Sequence, residues 1–296
     1  MNNSKKQVID YNFGIHFKDA LETSSFDSIK YPFGENLTPS ELRQSMDIIL
    51  LSKRADWGLN ILARTGVIEK ILPEAYALVD FGDGIKHKNV WLHTLQVIIQ
   101  SRKKINLRWA ALLHDIGKVP TRRFEPGNQV TFTGHPEVGA RMFDSISGRI
   151  PFTEDEKNSI RFLISSHLRG SAYNETWTDS AVRRFITDAS VNLEDSLNLA
   201  RADITSKYTE KVIAGLSQIN LLAEHIKKVA KNDLVPSALP KGLGDEIVKN
   251  FNIIKGPKLG KIMNILKQDV EEGKIEYNST CEDLINIINK NQARYL

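Results

Sequence analysis

Apolar residues recur along this chain three or four positions apart, in runs punctuated by proline, glycine and small polar residues. The first run opens at Thr38-Pro39-Ser40-Glu41, where a hydroxyl before a proline and an acid three residues on make a helix start signal. Ile48, Ile49, Leu50 and Leu51 supply its apolar side. The spacing predicts further helical pieces over 57–65, closed by Gly66, and over 68–72, closed by Pro73. Val90, Trp91, Leu95, Val97 and Ile98 mark a helix within 89–103. A short, strongly apolar helix over 107–113 then stops at His114-Asp115-Ile116-Gly117. Beyond it, 136–145, 155–167, 180–188, 193–206 and 209–231 carry the same period, Pro236 and Pro240 interrupt it over 233–241, and a last helical part is expected over 244–291.

One stretch reads differently. Within 122–133, Pro126-Gly127-Asn128 separates Phe124 from Val130-Thr131-Phe132, which predicts a small β-hairpin. The expected fold class is therefore all-α with one hairpin. Four parts follow from the breaks: an N-terminal arm over 1–37, a helical segment over 38–80, a central domain over 81–206 and a C-terminal helical tail over 207–296.

Composition narrows the function without naming it. A chain with 41% hydrophobic and 26% charged residues is ordinary for a soluble globular protein. Its single cysteine, Cys281, excludes an internal disulfide and any multi-cysteine metal site. The formal charge of +4 permits nucleic acid but does not argue for it, and acids interrupt the basic tail. The polar start Met1-Asn2-Asn3-Ser4-Lys5-Lys6 leads into no signal-like apolar region, and no apolar stretch is long enough to span a membrane. The expectation is a cytoplasmic protein with no membrane partner; oligomeric state is not encoded legibly.

Chemistry enters with the histidines. Five of the seven (His87, His93, His114, His135 and His167) cluster in the middle of the chain. A lone histidine on an apolar helix is usually a satisfied core residue, but Asp115 directly follows the apolar run Ala110-Ala111-Leu112-Leu113. A carboxylate buried there costs heavily unless a cation or hydrogen bonds compensate it. His93 within the preceding helix, His135 at a helix start, His167 at a helix end and Asp203 on an apolar helical face add donors at further elements. Imidazoles with carboxylates suit Mg, Mn, Fe, Co, Ni or Zn as divalent ions, and here the metal reading outweighs the core-histidine reading.

The order His93, His114-Asp115, Asp203, with His-Asp-Ile-Gly-Lys over 114–118, resembles the HD-domain metal-dependent phosphohydrolases. That resemblance implies one divalent metal held by His93, His114, Asp115 and Asp203. His135 and His167 match in order the two added histidines of two-metal subfamilies, in which Asp115 would bridge. The similarity extends further. Gly66–Glu74 is similar to the neck, Lys118–Arg122 and Thr133–Ala140 to the HD region, and Lys255–Ile262 with Glu272–Ile275 to the tail of bacterial CCA-adding enzymes and poly(A) polymerases. Under this resemblance 38–80 is neck-like and 81–206 is the HD domain. The chain carries no Asp-x-Asp pair of a nucleotidyltransferase head, and the residues before the neck-like part are too few for one, so hydrolysis rather than nucleotide addition is expected.

The implied activity is metal-dependent hydrolysis of a phosphate ester, on a phosphorylated small molecule, a nucleotide or an RNA end, as a phosphomonoester or 2′,3′-cyclic phosphate. One or two divalent ions serve it, and Asp115, Lys118, His135 and His167 are the catalytic candidates. If His135 and His167 do not hold a second ion, they contact phosphate or protonate the leaving group; as a third option His167 only caps its helix. Lys118 follows the pair past a glycine and can fold back over the site to face phosphate. Arg122 and Arg169, with Arg183 and Arg184, offer guanidinium forks to phosphate, though singly each reads as a surface charge. His87, near Gly82-Asp83-Gly84, would shape the entrance. Two alternatives stay open: a di-iron HD-type oxygenase sharing the six-ligand pattern, and a non-catalytic module that grips tRNA or other RNA.

Overall fold

The apolar run that ends at His114 forms a central helix, Ile105–Leu113, in which every residue from Leu107 onward is buried. A helix buried on nearly all sides must be surrounded, and the other elements do this. The computed structural model describes residues 37–82, 89–127, 129–234 and 238–296. His87 and all but the last residue of the expected arm lie outside the described residues.

Packing divides the chain into two compact units, Met1–Val229 and Ala230–Leu296. In the first, α1 (Pro39–Leu51) is closed at its start by the expected capping box between Thr38 and Glu41. Three helices follow: α2 (Ala55–Arg64), α3 (Val67–Ile71) and α4 (Pro73–Tyr76). Next come α5 (Val90–Gln100), the central α6 (Ile105–Leu113) and the short α7 (Lys118–Thr121). Strands β1 (Arg123–Glu125) and β2 (Gln129–Thr131) pair antiparallel with Phe124 opposite Val130. Gly127 supplies the turn with φ +80°, a conformation that disfavours other residues. Then α8 (His135–Ser147), α9 (Glu154–Ser171), α10 (Asp179–Ala189) and α11 (Leu193–Ala202) complete the series, and α12 (Thr209–Leu234) starts in this unit and ends past its last residue, Val229. The fold is all-α apart from one two-stranded sheet among the described residues.

Helix α9 packs on α6, α8 and α11, while α5 packs on α2, α6 and α11. Arg43 ties the first helix to this stack: Nη2 lies 2.8 Å from Glu156 Oε1, Nε 2.8 Å from Asp47 Oδ1, and the guanidinium 4.2 Å from the Phe152 ring centre. Several helix ends differ by a few residues from the sequence expectation, three of them beside the candidate site. α5 stops at Gln100, because the extended Ser101 turns its N–H back to Val97 and Ile98. α9 runs past His167 to Ser171, so His167 is not a terminal cap. α11 stops at Ala202, whose carbonyl accepts the Gln100 side-chain amide at 2.5 Å.

The second unit resolves the expected 244–291 segment into α13 (Leu243–Phe251), α14 (Pro257–Glu271) and α15 (Cys281–Lys290), followed by α16 (Gln292–Tyr295). Its core gathers Leu243, Ile247, Leu266, Leu284 and Ile288. A buried Asp269 there accepts hydrogen bonds from the Arg294 guanidinium (Nε, 2.9 Å) and the Tyr295 hydroxyl (2.7 Å). No helix among the described residues is long and apolar enough to cross a membrane.

Candidate metal centre

Asp115 lies in the turn after α6, its side chain only 1% exposed, and its two oxygens face different partners. Oδ2 is 3.3 Å from Nε2 of His114 and 3.4 Å from Nε2 of His93. Oδ1 is 3.5 Å from Nε2 of His135 and 3.9 Å from Nε2 of His167. Asp203, just past the end of α11, completes the first side, with Oδ1 3.0 Å from His93 Nε2 and 3.5 Å from His114 Nε2. Two donor groups result, His93–His114–Asp203 and Asp115–His135–His167, and within each the donor atoms lie within 4.8 Å of one another.

The backbone sets the ring orientations. Nδ1 of His114 donates to the Ala111 carbonyl at 2.9 Å, His135 to Phe132 at 2.9 Å and His167 to Ile164 at 2.7 Å. A carbonyl only accepts, so the proton of each neutral ring sits on Nδ1 and the Nε2 lone pair points inward. Yet His135 and His167 bring their Nε2 atoms to 3.2 Å, as do His93 and His114. Lone pairs facing at that distance repel unless a cation or proton lies between them. The donor set therefore fits a divalent ion on each side.

Electrostatics agree with that fit. Burial opposes a charge on His114, but the Asp115 and Asp203 carboxylates outweigh it and raise the imidazole to about 10. A proton on Nε2 thus takes the place a metal would fill. Burial would also raise Asp115, yet the facing imidazoles, His114 foremost, hold it well below the usual carboxylate range. Asp203 follows the same pattern through His114 and His93. His167 goes the other way: burial, and behind it the His114 charge, push it down to about 4.

Comparison with known proteins adds a resemblance to this geometry. Residues 88–207 match the HD domain family. Over that span the chain is similar to HD domains. All six donors fall inside the matched span. The wider chain is 28% identical over 242 residues to a CC-adding tRNA nucleotidyltransferase of Thermus thermophilus, covering 79% of this chain and 53% of that protein. It is 26% identical over 243 residues to an A-adding tRNA nucleotidyltransferase of Deinococcus radiodurans, covering 79% and 55%. A Multifunctional CCA protein of Pseudomonas aeruginosa shares 25% identity over 162 residues, covering 52% and 39%. The chain thus spans about half the length of the first two relatives, and it resembles the HD region of CCA-adding enzymes.

Around the HD centre, Lys118 does fold back: Nζ lies 2.7 Å from Asp115 Oδ2. Arg122 does not touch the donors. Its guanidinium lies 4.5 Å from the Phe81 ring centre and 5.3 Å from that of Phe124. Arg169 is engaged elsewhere, with Nη2 2.8 Å from Asp188 Oδ2 and its guanidinium 5.5 Å from the Phe185 ring centre. Three contributors escaped sequence reasoning. Thr205 places Oγ1 2.6 Å from His93 Nδ1. Gln100 binds the carbonyls of Ala202 and Ile204 on either side of Asp203. Gly170 lets α9 approach α11, since a Cβ there would stand 2.9 Å from Ala200 Cβ. No periodicity marks the two polar residues; only the glycine inside a helical run offered a signal.

Proposed function

We propose that the HD domain hydrolyses a phosphate ester of a nucleotide or RNA end, using two divalent ions. His93, His114 and Asp203 would hold one ion, His135 and His167 the other, with Asp115 shared between them. The observation that carries this reading is the division of the Asp115 oxygens between the two donor groups. Ions in such a site acidify water and polarise a phosphoryl group, which is the chemistry hydrolysis needs.

The chain's own residues do the positioning. Backbone carbonyls and Thr205 orient the imidazoles before any ligand arrives. His167, lowered to about 4, is an unprotonated donor at neutral pH, which favours a ligand role over that of a proton donor. Lys118 steadies Asp115 and sets a cation beside the position where phosphate charge grows. The relatives named for tRNA make an RNA end a natural substrate class.

The test is turnover by chelator-treated protein reloaded with Mg²⁺, Mn²⁺, Co²⁺, Ni²⁺ or Zn²⁺. Substrates are nucleoside monophosphates, 2′,3′-cyclic nucleotides and short RNAs with terminal phosphates. Metal-dependent phosphate release that vanishes in His114→Ala and Asp115→Ala supports the reading. No turnover with any ion, alongside tRNA binding retained in both variants, would mean a binding module. Tightly held mixed-valent iron with oxygen consumption would mean an oxygenase.

A further inference from the structure

The hairpin β1–β2 is inserted between two residues of the metal centre. Asp115 leads through α7 into β1, and β2 leads through Phe132 into His135, although Asp115 Oδ1 and His135 Nε2 are only 3.5 Å apart. Both stems therefore start from the donors, which keeps the hairpin close to the site in the chain. Its burial does not explain its apolar content. All of β1 is exposed, and Phe124 is 72% exposed. A two-stranded hairpin is marginal by itself, and a ring left mostly in water adds little to it by burial.

A row of rings and cations leads inward from that exposed phenylalanine. The Arg122 guanidinium lies over both Phe124 and Phe81, Phe81 meets Phe132 with ring centres 6.2 Å apart, and Lys118 Nζ lies 5.7 Å over Phe132. Phe132 also supplies the carbonyl that orients His135. Among the described residues, Arg122 is hydrogen-bonded to one backbone carbonyl, Gly82 O, at 3.5 Å, and to no carboxylate. An exposed ring, a guanidinium stacked on rings and a candidate metal site in series match a ligand that is flat and apolar at one end and anionic along its length.

We propose that Phe124 is a stacking platform for a nucleobase of the substrate, with Arg122 facing the backbone phosphate between that base and the metal centre. The proposal rests on the phosphohydrolase reading and deepens it by naming the side chains that would select a base-bearing ester over one without a base. Base–aromatic stacks tolerate any base, so selection is for the presence of a base, not its identity.

The experiment compares Phe124→Ala and Phe124→Trp with the parent in the metal-loaded protein. The first readout is the ratio of kcat/KM for a nucleoside 2′,3′-cyclic phosphate to that for glycerol 2-phosphate, which has no base. The second is fluorescence anisotropy of a labelled short oligoribonucleotide, which needs no turnover. Phe124→Ala is expected to lower the ratio and the oligonucleotide affinity about tenfold, the order of one lost stack, and Phe124→Trp to restore both. Equal losses on both esters, or oligonucleotide affinity unmoved by Phe124→Ala, would overturn the proposal. If no ester is turned over, the phosphohydrolase reading fails, while the anisotropy still decides the platform.

Discussion

Gly117 packs backbone to backbone against His135. A Cβ at position 117 would stand 2.1 Å from the His135 carbonyl oxygen and 2.6 Å from the Gly139 amide nitrogen. The φ of Gly117 is −66°, open to any residue, so it is space and not conformation that requires glycine. The close approach lets α8 set His135 against Asp115.

Gly117→Ala must therefore push α8 away from the turn that carries Asp115. A destabilisation of about 1–3 kcal/mol is expected for such overpacking, read by denaturant titration. Metal binding should suffer with it, chiefly on the His135–His167 side. A variant of parental stability and metal content would show that the contact relaxes freely.

Metal stoichiometry separates the two sides. Elemental analysis after dialysis is expected to find two ions per chain in the parent and one in His167→Ala. Asp115→Asn keeps the shape but loses the charge facing both groups, and both ions should weaken. An unchanged count in His167→Ala would remove His135 and His167 from the metal site.

The pH dependence follows from His114. In metal-free protein its raised value contributes stability that is fully present below its ordinary 6.5 and lost as pH rises through about 10. Asp115 and Asp203, held below their ordinary 3.8, contribute stability present above that value and lost as pH falls through their lowered values. A bound metal displaces the His114 proton, so the loaded protein escapes the alkaline loss. The melting-temperature gap between loaded and chelated protein should widen between about pH 7 and about pH 10, and calorimetry in buffers of different ionisation enthalpy should show proton release on binding. His167, already neutral, adds none. A gap that narrows with pH would contradict this assignment.

Thr205 tests the outer layer. Thr205→Val removes the hydroxyl beside His93 Nδ1 at nearly constant volume. Metal affinity is expected to fall about 10–100-fold, as for other groups that orient a ligating imidazole, with circular dichroism unchanged. Titration calorimetry with Mn²⁺ measures it; parental affinity would show that the hydroxyl does not orient the ring.

How much of this was legible beforehand depends on how local each cause is. Thr38 and Glu41 cap a helix by contacts three residues apart, and the turn after Phe124 closes through its own glycine, so both could be read directly. The end of α11 at Ala202 could not, because Gln100 on another helix takes its carbonyl. Arg169 carried the right group for phosphate but folds beside Asp188, and no local pattern announces such a partner.

The order of histidines and aspartates, their places near helix ends and the buried character of α6 are properties of the sequence itself, because period and adjacency encode them. Tertiary structure alone decided that Asp115 turns one oxygen to His93 and His114 and the other to His135 and His167. It also decided that Phe124 stays in water on a hairpin that joins the segments carrying Asp115 and His135. Both outcomes depend on where separate helices meet, and a one-dimensional pattern does not record the direction in which a side chain finally points.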